Sequence, residues 1–223
     1  SGGIRPKSWD SVIKESIAMG MSIINGLHDQ VNPEFSKYII NDQQWIWDTR
    51  VPQFIPKIGS SKASQLSNKR VLMIGTDMAA GKMTVGLELY SYLRNKNINV
   101  GFVATGQVGI TVTGAGIPLD AYKLDHACGA VESAVMDQAD KDVVIVEGQG
   151  SILHPGSSAT LPLMRGTCPT HMILCHIARN NSLRSLENIK IPDLKKFIDL
   201  NEQLASVIGT YPNTKVLGIA LNT

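Results

Sequence analysis

The sequence predicts an α/β protein whose larger part is a doubly wound, mainly parallel sheet. Short apolar runs recur along the chain without polar–apolar alternation, as expected for strands that helices cover on both faces. Helix-like runs separate these strands, and a regular strand–helix alternation favours parallel pairing. The first strand of the series leads into a glycine-ended loop, a lysine and a helix. Together, these three observations indicate the fold class before the role of any single residue is considered.

The N-terminal part is predicted to be the remainder of a smaller α/β unit. An amphipathic stripe indicates its first helix, and an Asn-Pro pair at 32–33 indicates the start of a second. Because the chain opens on Ser1-Gly2-Gly3 without an initiator methionine, we expect it to be a piece of a longer protein. The predicted elements are a helix over Pro6–Met19 with its stripe at Trp9, Val12, Ile13 and Ile17, a strand over Met21–Ile24, a helix over Pro33–Ile40 and a strand over Trp45–Trp47.

A segment without apolar periodicity follows this unit. It contains Pro52, Pro56 and Gly59 with several serines and lysines, a composition typical of a linker. We therefore predict a first unit over residues 1–51, a linker over 52–69 and the main domain over 70–223. Within the main domain, strands are predicted over Val71–Ile74, Val100–Ala104, Val143–Val146, Met172–Cys175 and Val216–Ala220, and helices over Lys82–Asn95, Asp120–Gln138 and Asp193–Ile208.

The stretch from Val71 to Thr84 carries the clearest chemical signal. A buried strand that delivers a glycine loop and a lysine to a helix N-terminus is a common way to hold phosphate groups. This stretch predicts a domain of the P-loop NTPase type, and the alternative is a glycine turn that only lets strand and helix pack. The predicted contacts to a phosphate-bearing cofactor are Gly75, Thr76, Asp77, Ala80, Gly81, Lys82, Met83 and Thr84.

The loop departs from the usual P-loop pattern in two places. Its first glycine lies one residue early, at Gly75. The hydroxyl that usually follows the lysine directly comes one residue late, at Thr84, because Met83 occupies that place. One helical step turns a side chain by about 100°. Thr84 is therefore less well placed to bind Mg²⁺ than a hydroxyl directly after Lys82.

The loops after the other strands supply further candidates, because ligands of such sheets lie beyond the carboxyl ends of the strands. Glu147 ends a buried strand, where an acid can hold Mg²⁺ or serve as a base, and the alternative is a pair with Lys82. Thr105 and Gln107 offer hydrogen-bonding side chains in a glycine-rich stretch after another strand, and the alternative is that this stretch is only a flexible loop. Gln149 lies between two glycines that allow close approach of a ligand.

Five other residues are weaker candidates for substrate binding or catalysis. Asp125 near the start of a helix-like run is suited either to face a metal or an amine, or to interact with the helix dipole. His154 is a second candidate for a general base, because imidazole titrates near neutral pH. Arg165 is suited to pair with a carboxylate or phosphate. His28 and Arg50 follow the N-terminal strands, where the alternative is a salt-bridged pair of loops.

Several of these motifs resemble those of known families. Gly75-Thr76-Asp77 followed by Gly81-Lys82 resembles the dethiobiotin synthetase-like branch of P-loop proteins. A narrower bacterial family, long described as a domain of unknown function, has one branch of D-glutamate N-acetyltransferases. Five motifs of this chain are similar to those of that family. They are the P-loop sequence continued through Met83-Thr84, Gly-Leu-His-Asp at 26–29, Asp-x-Arg at 48–50, Thr-Gly-Gln at 105–107 and Glu-Gly-Gln-Gly-Ser at 147–151. The resemblance implies a Rossmann-like N-terminal domain followed by a dethiobiotin synthetase-like P-loop domain.

The resemblance implies an acyl transfer to the amine of a small acidic amino acid such as D-glutamate. On this reading the loop grips the phosphates of acetyl-CoA or of a nucleotide, and Glu147 or His154 serves as the base, with Lys82 in the catalytic centre. One alternative is ATP-dependent phosphoryl transfer or ligation on a carboxylate or carbamate, with Thr84 and Glu147 at Mg²⁺. The other is a non-catalytic nucleotide-binding module.

The composition excludes several other classes of function. The chain has 223 residues with 21 basic and 19 acidic side chains, a net charge of +2 without a basic stripe for nucleic acid. No apolar run is long enough to cross a bilayer. Three cysteines without metal-ligand spacing indicate reduced thiols and a cytoplasmic protein. The expected partner is therefore a small-molecule substrate, and a homo-oligomer is left open.

Overall fold

The structure is a computed structural model that describes residues 3–223. Its strands are β1 (Ile23–Asn25), β2 (Ile46–Asp48), β3 (Lys69–Gly75), β4 (Val100–Val103), β5 (Val143–Val146), β6 (His171–Ile177), β7 (Ser182–Leu183), β8 (Leu186–Lys190) and β9 (Lys215–Asn222). Its α-helices are α1 (Trp9–Ala18), α2 (Asn32–Phe35), α3 (Lys82–Asn95), α4 (Gln107–Thr113), α5 (Leu124–Met136), α6 (Thr160–Thr167) and α7 (Leu194–Ser206).

A five-stranded sheet organises the larger part of the chain. Its strands are parallel in the order β4-β5-β3-β6-β9, so the strand that leads into the P-loop lies in the centre. β3 pairs with β5 on one side and with β6 on the other, which places the carboxyl ends of all three strands at one edge. The predicted mainly parallel α/β fold is confirmed. The central position of β3 explains why the chemistry collects around its end.

Helices cover both faces of this sheet. Leu72 and Ile74 of β3 face a cluster that includes residues of α5, α6 and α7. Val71 and Met73 face the opposite cluster, which includes the apolar side of α3. Successive side chains of a strand point to opposite faces, so an unbroken apolar run fills both layers. This double burial is the physical reason why the strands of the main domain are apolar without alternation.

The N-terminal unit is small and has its own core. β1 and β2 pair in parallel, and Ile17, Phe35 and Ile46 are buried together between this pair and the helices. The predicted helical stripe is correct at Ile17 but not at Trp9 and Val12, which are about half exposed. The side chains at the start of α1 therefore contribute little to the core of this unit.

Several elements differ from the sequence-based predictions. The glycine-rich stretch after β4 contains the helix α4, and the Ser/Thr/Pro-rich stretch after β5 contains the helix α6. The hairpin of β7 and β8 was not predicted. The helix predicted over Asp120–Gln138 is divided, because a 3-10 turn at Leu119–Ala121 precedes α5. Asp120 therefore does not cap α5, whose N-cap residue is Lys123.

The segment predicted as a linker packs tightly against the main domain. The buried carboxylate of Glu132 on α5 accepts hydrogen bonds from the backbone N–H groups of Ser60 and Lys62. Ala63, in a 3-10 turn, is completely buried in the core between the sheet and α5. Residues 60–65 are therefore held as firmly as an ordinary loop of the domain.

Candidate functional site

The loop between β3 and α3 has the backbone conformation of an anion-binding nest. Ala79 has a φ of 54° and Gly81 a φ of 102°, so left-handed residues alternate around Ala80. Such alternation turns successive N–H groups toward one point. Within residues 3–223, no hydrogen bond uses the N–H groups of Ala79, Ala80 or Gly81. Ala80 is buried, and a buried amide is normally paired, so this loop fits a phosphate group placed at the start of α3.

Lys82 lies beneath this loop, at the first position of α3. Its side chain is only 6% exposed, and its Nζ donates a hydrogen bond to the backbone oxygen of Asp77 at 2.8 Å. Burial lowers the pKa of the Lys82 ammonium below its ordinary value, although nearby acidic groups oppose this change. An ammonium has three donors, so Lys82 has further donors for an anion.

The side chains at the start of the loop are engaged within the protein. The Thr76 hydroxyl, fully buried, shares a hydrogen bond with Nδ1 of His176 at 3.0 Å. The Asp77 carboxylate accepts hydrogen bonds from the N–H groups of Met78 and Arg184, at 2.6 and 2.7 Å. Arg184 lies in the turn of the β7–β8 hairpin, so Asp77 ties that hairpin to the P-loop. These contacts hold the loop in shape.

Glu147 follows β5 and binds the start of α4. Its Oε2 accepts hydrogen bonds from the N–H groups of Thr105 and Gly106, at 2.8 and 3.1 Å. The residue is only 4% exposed. Burial raises the pKa of the Glu147 carboxyl above its ordinary value, while the two amides and Lys82 act in the opposite direction. A carboxylate with a raised pKa is a better proton acceptor near neutral pH.

Gly109 allows this carboxylate to lie against α4. A Cβ atom at Gly109 would lie 2.3 Å from Oε2 of Glu147, which is far too close for any side chain. From the sequence, the glycines after β4 indicate either close approach of a ligand or a flexible loop. In the structure, one of them makes room for a buried acid beneath a helix.

One cleft brings several of the predicted residues together. It has a volume of about 310 Å³ and lies beyond the carboxyl ends of β3 and β5. Lys82, Glu147 and Gln149 share it, and Thr84 lies on its rim as an exposed residue. The residues that line the cleft are Met78, Ala79, Gly81, Lys82, Met83, Thr84, Glu147, Gly148, Gln149 and Gly150. The cleft therefore combines an anion nest, an ammonium and a buried acid.

The N-terminal unit reaches the same end of the sheet. Arg50 donates from Nε to the backbone oxygen of Gly26 at 2.7 Å and forms an ion pair with Asp120 of the main domain. Gly26 lies against Gln107, because a Cβ at Gly26 would be 3.1 Å from Cγ of that side chain. His28 is exposed close to this junction in sequence. Arg50 is thus engaged by Gly26 and by Asp120 of the main domain, and the predicted roles of Arg50 and His28 in substrate binding stay predictions.

Three other predicted residues are not among those that line the cleft. The Arg165 guanidinium donates to the backbone oxygens of Leu204 and Ala205 at the end of α7. His154 lies in a tight turn, where its Nδ1 accepts from the N–H of Gly156. Asp125 is exposed in the first turn of α5. Their predicted roles in substrate binding and catalysis stay predictions.

Two polar residues that the sequence did not single out prove to be structural. The Arg70 guanidinium is 1% exposed and donates to backbone oxygens of Leu66, Asn68, Thr167 and Cys168. Glu132 binds the segment before β3, as described above. In the sequence Arg70 simply follows Lys69 at the start of the apolar run, and this pattern does not reveal which carbonyls it binds.

The fold and the cleft define the chain as a P-loop α/β protein preceded by a Rossmann-like unit. Residues 57–223 match the family described as "Domain of unknown function (DUF1611_C) P-loop domain". Residues 1–52 match "Domain of unknown function (DUF1611_N) Rossmann-like domain". The chain belongs to this DUF1611 family.

Two relatives with named activities align with the whole chain. It is 35% identical to a D-glutamate N-acetyltransferase of Pseudoalteromonas and 32% identical to one of Tritonibacter scottomollicae. In each case 100% of this chain aligns, with 67% and 66% of the respective relative. The chain thus spans about two thirds of the length of the relatives that it matches.

Solved structures agree with the fold. A DUF1611 family protein from Anabaena variabilis is 41% identical and superposes with a TM-score of 0.94, covering 100% of this chain and 65% of that one. A nucleotide-binding protein in complex with ADP from Archaeoglobus fulgidus is 13% identical, with a TM-score of 0.50 over 73% of this chain and 71% of its own. At that identity, the second likeness supports the P-loop fold alone.

Two further findings concern the described residues. None of their helices is long and apolar enough to cross a membrane. They also contain no group of three or more His, Cys, Asp or Glu side chains arranged to hold a metal ion.

Proposed function

We propose that the protein is an N-acyltransferase that moves an acyl group from a coenzyme A thioester to the amine of an acidic amino acid resembling D-glutamate. The observation that carries this proposal is the cleft in which free loop amides and Lys82 lie beside the buried Glu147. The two D-glutamate N-acetyltransferases that align with the whole chain support the choice of reaction.

The anion nest would bind the cofactor diphosphate. Lys82 and the N–H groups of Ala79, Ala80 and Gly81 supply positive charge and hydrogen-bond donors at the positive end of the α3 dipole. Bound coenzyme A would supply an acyl carbon activated as a thioester. Because the N–H donors are fixed by the backbone, the phosphate can anchor the ligand without reorganisation of the loop.

Glu147 is suited to be the general base. An amino acid reaches the site as an ammonium ion, which must lose a proton before its nitrogen can attack a carbonyl carbon. The carboxylate of Glu147 would take that first proton and leave a free amine. As the amine forms the C–N bond and the C–S bond breaks, the nitrogen loses a second proton, and the departing sulfur takes up one proton to leave as a thiol. The raised pKa of Glu147 favours this proton transfer.

His154 is a weaker candidate for the same role. Its Nδ1 already accepts a hydrogen bond from the N–H of Gly156 at 3.1 Å. In the neutral ring Nε2 then carries the hydrogen and has no lone pair with which to accept a proton. The geometry therefore favours Glu147 over His154 as the base.

Calorimetric titration with acetyl-CoA and with ATP tests this proposal. We expect acetyl-CoA to bind, and Lys82→Ala to weaken that binding by about 100-fold, because the variant removes a buried cation from an anion site. Release of free thiol in the presence of D-glutamate measures the reaction itself. Lys96→Ala is the matched control, since Lys96 is exposed just beyond α3 and should leave binding unchanged. Binding of ATP without binding of acetyl-CoA would contradict the proposal and favour phosphoryl transfer.

A further inference from the structure

The cleft lacks the hydroxyl that a P-loop normally offers to Mg²⁺ directly after its lysine. We infer that it binds the diphosphate of a coenzyme A thioester without a divalent cation, and that Met83 is the residue that sets this preference against a magnesium–nucleotide complex. The inference rests on the proposed function, because it specifies the ligand chemistry of the same cleft. It also replaces the prediction that Thr84 and Glu147 hold a metal ion.

The first argument comes from the residue after Lys82. In the usual P-loop this position carries a Ser or Thr hydroxyl that binds Mg²⁺ directly. Met83 occupies it here and lines the cleft with a thioether, a soft group that a hard cation such as Mg²⁺ does not select. The next hydroxyl, at Thr84, is displaced from that position by about 100° around the helix axis. Thr84 is exposed at the edge of the cleft, where it also borders an apolar groove formed with Val85 and Leu89.

The second argument comes from the two carboxylates nearest to the loop. Both oxygens of Asp77 accept backbone hydrogen bonds, one from Met78 and one from Arg184. Oε2 of Glu147 accepts from the amides of Thr105 and Gly106. Mg²⁺ requires close to octahedral coordination by oxygen atoms. Both Asp77 oxygens are therefore engaged, and Glu147, held through Oε2, can present only Oε1 to the cleft. The two carboxylates thus offer a metal ion a single oxygen and no neighbouring hydroxyl to complete its coordination.

The third argument comes from the charge of the loop itself. Its free N–H groups and the Lys82 ammonium form a compact site of positive potential without a metal. The diphosphate of coenzyme A carries less charge than the triphosphate of ATP, which normally binds together with Mg²⁺. A metal-free nest is therefore matched to a diphosphate ester and poorly matched to a triphosphate.

Calorimetric titration of the full chain in EDTA and in excess Mg²⁺ tests the inference directly. For the wild type we expect the Kd of acetyl-CoA to differ by no more than about twofold between the two media, and the affinity for ATP not to rise with Mg²⁺. A tenfold or larger loss of acetyl-CoA affinity in EDTA, on the order of 1.4 kcal/mol, would overturn the inference. That result would leave the proposed function intact, whereas no binding of acetyl-CoA in either medium would refute the proposed function itself.

A matched pair of variants tests the role of Met83. Met83→Thr restores a hydroxyl after Lys82, and we expect Mg²⁺ to tighten its binding of ATP by about tenfold. Met83→Val introduces a side chain of nearly the same shape as threonine but without the hydroxyl, and Mg²⁺ should not change its affinity for ATP. If the two variants respond to Mg²⁺ in the same way, Met83 does not set the preference and the inference fails. The wild-type titrations decide the question of metal dependence even if neither variant folds.

Discussion

At the scale of single residues, the burial of Glu147 sets the stability of the fold against the chemistry proposed for the site. Its carboxylate is buried, and two backbone amides and one lysine only partly offset the cost of that burial. The folded-state pKa therefore lies above the unfolded one. Ionisation of Glu147 lowers the free energy of unfolding as the pH rises from its ordinary pKa through the raised one. Function requires the ionised form, so the site would hold this base at a cost in stability.

Glu147→Gln tests both sides of this conflict. The amide oxygen of glutamine can still accept from Thr105 and Gly106, but the side chain cannot take up a proton. We expect kcat for acyl transfer to fall by about 100-fold or more. Thermal unfolding at pH 7 to 8 should show a raised Tm, since the buried negative charge of Glu147 is removed.

The pH dependence of the wild type provides the control. Its kcat should fall as the pH drops through the raised pKa of Glu147, and Glu147→Gln should lose that dependence. An unchanged acidic limb in the variant would show that another group is the base.

The residue scale also shows how far the sequence alone could reach. Lys82 and Glu147 follow apolar strands, and the rule that ligands lie beyond the carboxyl ends of strands selected both. The local engagement of Thr76 and Asp77 could not be predicted, because their partners His176 and Arg184 lie about a hundred residues further along the chain. Motif spacing indicates that a loop binds phosphate, but not which of its side chains face inward.

At the scale of secondary-structure elements, Arg70 joins the start of β3 to the end of α6. Its guanidinium donates to the last carbonyls of α6, at Thr167 and Cys168, and to Leu66 and Asn68 before the strand. The last carbonyls of a helix have no partner within the helix. Arg70 supplies donors to them where water cannot reach.

We expect Arg70→Met to destabilise the protein by about 3 kcal/mol, because it leaves several buried carbonyls without a donor. Urea unfolding followed by circular dichroism measures the change. Arg94→Met on α3 is the control and should change stability by less than about 0.5 kcal/mol, because Arg94 is exposed. A loss no larger in Arg70→Met than in the control would mean that water or the backbone replaces the guanidinium.

The short helices mark the limit of prediction at this scale. α4 and α6 lie in stretches rich in glycine or in Ser, Thr and Pro, which local propensity assigns to loops. Tertiary contacts override that propensity. The amides at the start of α4 bind Glu147, and the carbonyls at the end of α6 bind Arg70. The longer helices α3 and α7 were predicted, because long helix-like runs separate the apolar strands there.

At the scale of the whole molecule, the N-terminal unit is attached to the main domain through Arg50. Its guanidinium links the Gly26 carbonyl on one side to the Asp120 carboxylate on the other. This contact lies beside Gln107, at the end of the sheet that carries the cleft. It therefore fixes the N-terminal unit close to the proposed active site.

A double-mutant cycle of Arg50→Ala and Asp120→Ala measures this attachment. Asp120 is about half exposed, so solvent weakens the pair, and we expect a coupling energy of about 1 kcal/mol. In Arg50→Ala, hydrogen exchange in β1 and β2 should be about fivefold faster, because the unit opens more readily. Additive effects of the two substitutions would show that the ion pair does not join the two units.

Alone, the sequence determined the fold class, the P-loop after the first strand of the main domain and the family, because apolar runs and motif spacing are local properties of the chain. Only the tertiary structure decided which polar groups are engaged by the protein and which are free to meet a ligand. Hydrogen-bond partners such as those of Asp77, Glu147 and Arg70 are distant in sequence. Their pairing depends on how strands and helices meet in space, which no local pattern of residues records.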